Sequence, residues 1–529
     1  MATTRRTTRP RRRPAAAAAL TPGSVAIRMY RMGFGDCFLL RFPGEDRERC
    51  VLVDCGTLSK TPDEVNEVVA DLVATLPRVG GKPHLDVLAL THEHWDHLAG
   101  FGYAKAQFEA LAVGEVWLAW TEDPADETAR AIDKARSLAL AAAGRIHARL
   151  QASGRGSRDA AGRLRRALAF FDPPQSVAAD ATPGLAEAPA AFRHDDSLGF
   201  GLPAGSIRRA TRPIREFVRT HWGEAVVRYL EPGGARLALP GVAGTGAFVL
   251  GPPRDLAKLR RSTPRTRNPE TYGLAIGLGA ASGDGHAAAL ERSLGLGLDG
   301  AGERAFTDEL PFDLRHPLRL ATQEAEAAPW FREHYFGVDP ERQIEDDWLG
   351  GAEELALKLD SNTNNTSLVL AFELGTGGKV LLFPGDAQVG NWLSWHDQGW
   401  TGADGATVTA KALLGRTVFY KVGHHGSHNA TMREAGLELM TDPELVAAVP
   451  VDERYATEKQ DWHDIPFDPL MAALLEKTRG RILRADRSLE ELRQAPPPKG
   501  LDAAAWQAFC QDRVRSDNDR LWVEYVIGG

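Results

Sequence analysis

The sequence predicts an α/β fold carried by two sheets. Three observations point there. Short apolar strands crowd both ends of the 529-residue chain, helix-rich segments separate them, and the two strand-rich ends resemble each other weakly without a repeat of fixed period. The length exceeds one ordinary domain core, which implies one elaborated domain or two to three smaller ones. Hydrophobic residues at 43% and charged residues at 25% give the balance of a soluble globular protein.

The elements follow in chain order. Residues 1–22 begin "MATTRRTTRPRRRPAAAAAL", with arginines and no acid before an alanine run too short to span a membrane; they read as a disordered basic tail. The ordered part starts at Ser24, where apolar residues broken by Gly33-Phe34-Gly35-Asp36 predict a hairpin. Arg49 to Gly56, "RCVLVDCG", is a short strand ending in Asp54. "TPDEVNEVVADLVATL" then has helical spacing, with Thr61 or Asp63 as its cap. "LDVLALTHEHWDH" is a buried strand that runs straight into a histidine cluster. From Trp117 to about Leu237, "ETARAIDKARSLALAAAGRIHARLQ" and "RDAAGRLRRALAFF" predict helices. Gly246 to Asp255 is a strand, and about 256–358 shows no clean period. Thr366 to Gln388 is a hairpin with a Gly-Asp turn. Thr417 to Thr431 is a strand ending in a second histidine cluster, and a helix, a strand, a last helix and "LWVEYVIGG" close the chain.

Composition narrows the function classes. A net charge of -8 gives no whole-protein case for nucleic-acid binding, although a local basic groove is compatible with it. Cys37, Cys50, Cys55 and Cys510 form no C-x-x-C pair and no disulfide framework, so the expected location is a reducing cytoplasm. No stretch reaches transmembrane length, and no membrane association is expected.

The chemistry concentrates in "LALTHEHWDHLAG", residues 88–100. His92, His94 and His97 offer neutral imidazole nitrogen and Asp96 a carboxylate oxygen, the donors preferred by zinc and its neighbours. In an extended segment His92 and His94 point the same way and can grip one ion. A turn through Trp95 brings Asp96 and His97 to a second ion, or leaves Asp96 to orient water. Glu93 and Trp95 receive no role.

His-x-His-x-Asp-His after an apolar strand resembles the signature of the metallo-β-lactamase superfamily. The resemblance implies a four-layer αβ/βα sandwich with a one- or two-metal hydrolytic site. "VLVDCG", "LLFPGDAQ" and "YKVGHHGSHNAT" match the later motifs in order. Together with "RMYRMGFGDCFLL" and "NNTSLVLAF" they resemble the ComEC-like metallo-hydrolase branch, which includes phosphodiesterases. The stretches at about 118–245 and 256–358 have no counterpart and would be insertions, partly helical, that cap the site of one hydrolase domain spanning 23–529.

Carried over by residue, the resemblance implies His92, His94 and Asp386 on one metal. It implies Asp96, His97, Asp386 and His424 on the other, with Asp96 also orienting water. His425 would face the substrate as proton donor or phosphate contact, and the roles of His424 and His425 are exchangeable. Two divalent ions are expected, Zn²⁺ first and Mn²⁺ as the alternative. A further histidine often found in the superfamily has no clear counterpart: His194, His221 and His316 lack a matching context, and His463 is displaced from the nearby proline. Asp54 would orient a ligand, and Lys421 would approach a phosphate or serve the strand. The expected function is a metal-dependent hydrolase, a phosphodiesterase or nuclease acting on a phosphoester or nucleic acid. The alternatives are a hydrolase of a lactone, thioester or amide, or a regulatory or effector partner in a multi-gene, defence-related system that binds another protein.

Overall fold

The computed structural model describes residues 20, 23–152, 162, 164–171, 210–265, 269–272 and 356–528. Apart from Leu20, the expected basic tail lies outside these residues, as do His194, His316 and most of the 256–358 stretch.

Nineteen strands run through the described residues. They are β1 (Val25–Tyr30), β2 (Phe38–Pro43), β3 (Glu48–Val53), β4 (Arg78–Val79), β5 (Lys82–Ala89), β6 (Ala112–Ala119), β7 (Val227–Leu230), β8 (Gly234–Ala235), β9 (Leu237–Ala238) and β10 (Thr245–Gly251). After the second long stretch come β11 (Val369–Leu374), β12 (Lys379–Phe383), β13 (Gly399–Thr401), β14 (Thr407–Thr409), β15 (Thr417–Lys421), β16 (Val446–Val449), β17 (Ile482–Arg484), β18 (Val514–Ser516) and β19 (Trp522–Ile527).

The first sheet has the order β18-β19-β1-β2-β3-β5-β6-β7, with β4 paired to β5; the second has the order β17-β16-β15-β12-β11-β10-β9. Both are built alike. An antiparallel run passes into a parallel run, β3-β5-β6-β7 in the first and β12-β15-β16-β17 in the second. This is the physical content of the weak likeness between the chain ends.

Alternation puts one face of each strand against the other sheet. Val51, Val53, Val87, Ala89 and Trp117 of the first sheet share a core with Val249, Leu370, Phe372, Leu381, Phe383 and Phe419 of the second. Phe38 meets Phe383 edge-on at 5.6 Å, and Trp117 stacks on Phe372 at 6.5 Å. The opposite faces are covered by helices. The helix Pro62–Thr75 lays Val65, Val68, Val69 and Leu72 on the side of Leu39 and Leu52, and the helix Val389–Trp395 sets Trp392 and Trp395 on the side of Leu382 and Tyr420. The fold is therefore the expected α/β sandwich of two sheets flanked by helices. Thr61 caps the first of these helices, and its capping box with Glu64 explains why the element starts there.

One part of the first inserted stretch is not a cap. β7 pairs in parallel with β6, Val116 opposite Val227, and so extends the first sheet. Its short mixed pattern carried too little alternation to announce it.

Candidate metal centre

Every strand that feeds the centre does so at its carboxyl end, where parallel strands leave a crevice. β3 delivers Asp54, β5 delivers His92 to His97, β12 delivers Asp386, and β15 delivers His424 and His425.

After β5 the chain stays extended to His94, which sits at φ -69° and ψ 152° as the N-cap of the helix Trp95–Tyr103. The change from extended chain to helix turns Asp96 and His97 towards the ions' side. Backbone bonds lock the geometry: Asp36 N donates to Asp96 O at 2.9 Å, Cys55 N to His97 O at 2.9 Å, and Leu368 N to Thr91 O at 2.9 Å. The last ties the loop to the second sheet. Gly56 permits the approach, since a Cβ there would stand 2.2 Å from His97 N. Gly385, at φ +56°, does the same before Asp386: a Cβ would lie 2.9 Å from those of Thr91 and Ser367.

The side chains then converge. Asp96, His97, Asp386 and His425 bring ligand atoms within 4.8 Å of one another, all buried. His97 Nδ1 donates to Asp54 Oδ2 at 2.8 Å, which leaves its Nε2 facing Asp386 Oδ2 at 3.3 Å and Asp96 Oδ2 at 3.4 Å. His425 Nδ1 donates to Pro450 O at 2.6 Å, and its Nε2 pairs with Asp96 Oδ2 at 2.8 Å. His92 Nε2 and His94 Nδ1 stand 3.1 Å apart, close to the roughly 3.3 Å separating two imidazole nitrogens on one tetrahedral zinc. Asp96 Oδ1, His97 Nε2 and Asp386 Oδ2 are buried without a hydrogen-bond partner. Imidazole nitrogens and carboxylate oxygens that converge with these atoms unpaired are the donor types a divalent ion takes in exchange for the ring protons, so these residues fit divalent metal.

The electrostatics show the same demand. Burial works against a charge on Asp386, yet Lys421 and His97 hold it well below the usual carboxylate range. Burial also opposes protonation of His97, and Asp386, Asp96, Asp36 and Asp54 overcome it and raise it well above the usual imidazole range. Burial lowers His94 to about 3 and His424 to about 4, which keeps both rings neutral. Asp386 Oδ1 is occupied, accepting from Lys421 Nζ at 3.0 Å and His424 N at 2.8 Å, so only Oδ2 faces the cluster. Lys421 also pairs with Asp36 and is buried, which leaves it no freedom to reach a substrate phosphate.

His424 does not turn into the cluster. Its Nδ1 pairs with Ser427 Oγ at 2.8 Å and its Nε2 lies 3.4 Å from Asn364 Nδ2. Both His424 and His425 hold left-handed φ angles of 45° and 52°, strain that lets consecutive rings diverge. First position off the strand was therefore a poor guide to which ring faces Asp96. His463 is exposed and pairs with Asp461 at 2.8 Å, and His221 is exposed beside Glu109 O at 3.4 Å. Neither lies among the converging residues.

Two residues without a role in the sequence reading acquire one. Glu93 is fully buried and meets Arg136 at 2.9 Å and Arg215 at 3.1 Å, from the helices Glu127–Ala152 and Thr211–Thr220; Arg215 also pairs with Glu122 and Asp133. Trp95 N donates to Phe170 O at 2.7 Å. The first inserted stretch is thus bolted to the metal loop through its two spacer positions, and it lays Phe170 and Phe171 beside His94 at 5.3 and 4.8 Å. Phe170 stacks on Trp462, and Trp462 and His425 both touch Phe34 of the Gly33–Asp36 turn. Asp36 and Glu93 carried no sequence signal beyond position: each owes its place to a partner more than 40 residues away.

No curated protein and no solved structure gave a match to the chain. A family model described as the metallo-beta-lactamase superfamily matches residues 30–168, a span holding Asp54 and the whole His92–His97 cluster but ending before Asp386 and His425. Residues 30–168 are thus similar to that superfamily, and strand ends of the second sheet supply Asp386 and His425, the other two members of the buried cluster.

Proposed function

We propose that the protein is a metal-dependent hydrolase with a dinuclear site, acting on phosphodiesters as a phosphodiesterase or nuclease of the ComEC-like kind. The observation that carries this reading is the carboxylate of Asp386: its Oδ2, without a hydrogen-bond partner among the described residues, faces His97 Nε2 at 3.3 Å inside the buried group of Asp96, His97, Asp386 and His425, and its charge also acts on His92 and His94. His92 through Nε2, His94 through Nδ1 and Asp386 would hold the first ion. Asp96, His97 through Nε2, Asp386 and His425 through Nε2 would hold the second. His425 takes the ligand role in place of His424, because the bond to Pro450 aims its Nε2 at Asp96. Two such ions would supply Lewis-acid polarisation of a phosphoryl oxygen and a lowered pKa for attacking water, Zn²⁺ being the first expectation and Mn²⁺ the second.

The chain's own groups do the remainder. Lys421 and the His424 amide neutralise the outer oxygen of Asp386 and fix its plane. Asp54 holds His97 in one tautomer. The His424 ring, set off the cluster, contacts the substrate as a hydrogen-bond partner for a phosphoryl oxygen. Phe34, Phe170 and Trp462 form an apolar rim that limits water.

A panel of chromogenic phosphodiesters, single-stranded DNA and carboxylic esters, each assayed with Zn²⁺ and Mn²⁺, tests the reading. Phosphodiester cleavage is expected, lost in His425→Ala together with the second equivalent of metal. In His424→Ala metal content stays and turnover falls. Cleavage of esters alone would move the assignment to the lactone, thioester or amide class, and no cleavage with two bound ions would favour a regulatory partner.

A further inference from the structure

Helical residues 356–364, at and just past the end of the 256–358 stretch, carry Asp360 and Asn364 one turn apart on a single face. This segment is pinned just past its end. Asn365 Nδ2 donates to Arg261 O at 2.8 Å, Gln388 N donates to Asn365 Oδ1 at 2.9 Å, and Asn391 Nδ2 donates to Asn365 O at 3.0 Å. Asp360 is buried. Its Oδ1 has no hydrogen-bond partner and lies 3.7 Å from His94 Nε2, which is buried and without a partner as well. Asn364 Nδ2 donates to Asp360 Oδ2 at 3.3 Å and so turns the other oxygen towards the ring.

A neutral imidazole carries one proton. If the nitrogen facing His92 is to bind metal, that proton sits on Nε2, and a buried N–H needs an acceptor. We infer that Asp360 is the positioning carboxylate of His94, accepting Nε2–H through Oδ1 so that Nδ1 is presented to the first ion. Closing the 3.7 Å between the two atoms to hydrogen-bond length when the ion binds would give His94 the kind of carboxylate partner that Asp54 already is for His97 at 2.8 Å. The inference rests on the dinuclear reading and adds to it a residue that lies outside every recognised motif.

The test compares wild type with Asp360→Ala, Asp360→Asn and Asn364→Ala, titrating Zn²⁺ by competition with a chelator and recording the d–d spectrum of the Co²⁺-loaded protein. Asp360→Ala is expected to weaken the first ion about 10–100-fold and to change the Co²⁺ spectrum, leaving the second ion in place. Asp360→Asn keeps an acceptor oxygen and restores most of the affinity, which a role through charge alone would not do; the Co²⁺ spectrum separates ligand orientation from a merely structural role. Asn364→Ala, available should Asp360→Ala fail to fold, shifts affinity the same way by a smaller factor. Wild-type affinities and spectrum in both Asp360→Ala and Asn364→Ala overturn the inference while leaving the dinuclear site standing. An Asp360→Asn protein as weak as Asp360→Ala overturns it too. Wild-type protein that binds no Zn²⁺ overturns the dinuclear reading and this inference together.

Discussion

The floor of the metal centre and its wall are held by different physics. The floor is made of strand ends. Its ligand atoms are set by ladder hydrogen bonds, by turns in which a Cβ has no room at Gly56 and Gly385, and by carbonyl or carboxylate partners behind His425 and His97. The wall is made of inserted helices, held to the floor by a buried ion cluster around Glu93 and by aromatic contacts of Phe170 and Phe171. Several independent bonds fix Asp386, His97 and His425 in the floor. The wall is tied through charge and aromatic contact instead. Such a division would let one chemistry meet different substrates, because the helices that Glu93 holds can change while the strand-end residues stay in place.

The sharpest way to break the comparison is to strike the one residue the two halves of the floor share. Asp386→Ala removes the carboxylate facing both ion positions. Both equivalents of metal should be lost, and turnover should fall far beyond the roughly 10–100-fold that a lost hydrogen-bond partner of a ligand costs. Elemental analysis alongside the hydrolysis assay reads this. A variant that keeps two ions would mean that the halves are independent sites.

The next effect belongs to the wall. Arg136→Ala combined with Arg215→Ala removes two of the cations that face buried Glu93, and weakening a buried ion cluster in this way destabilises by up to about 3–5 kcal/mol. Denaturant unfolding should show that loss. A near-isosteric apolar replacement of all three residues should recover most of it, because the cluster's attraction mainly offsets its own desolvation. If the double variant unfolds like wild type, the wall is held by something other than Glu93.

This contrast also explains what the sequence disclosed. His92, His94, Asp96 and His97 are legible because one loop after one strand carries them, and the short apolar runs of β3, β5, β12 and β15 announced the strand ends. Asp386 and the histidine pair were legible through their motifs. Which ring of the pair faces Asp96 was not, because it depends on left-handed backbone at both residues and on a carbonyl from Pro450. Glu93, Asp36 and Asp360 were silent for the same reason: a buried charge is defined by its partner, and Arg136, Lys421 and His94 lie far from them in the chain. β7 escaped notice because a four-residue edge strand has almost no period to read.

A milder probe acts within the floor. Asp54→Asn keeps shape, but both oxygens of Asp54 accept, Oδ1 from Thr91 N and Oδ2 from His97 Nδ1 and Thr91 Oγ1, so the amide sets an N–H against one of these donors. Metal affinity at the second position should fall within about 10–100-fold, with unfolding little changed, and chelator competition measures it. An unaltered affinity would show that the backbone alone orients His97.

The smallest effect falls outside both regions, and it marks where the site ends. His463 sits in "DWHDIP", the stretch that stood where a further histidine was sought, and its neighbour Trp462 packs against Phe34 and Phe170 at the rim. The His463 ring itself points to solvent at 69% side-chain exposure and meets only the equally open Asp461 among the described residues. An exposed pair of this kind contributes about 0–1 kcal/mol at most. His463→Ala should therefore leave stability within about 0.5 kcal/mol, both metals bound and turnover unchanged, whereas Trp462→Ala, one position away, should alter substrate KM through the rim. Equal effects from the two changes would mean that the segment moves inward as a unit when substrate binds, and the wall would then have a second, mobile component besides the helices that Glu93 holds.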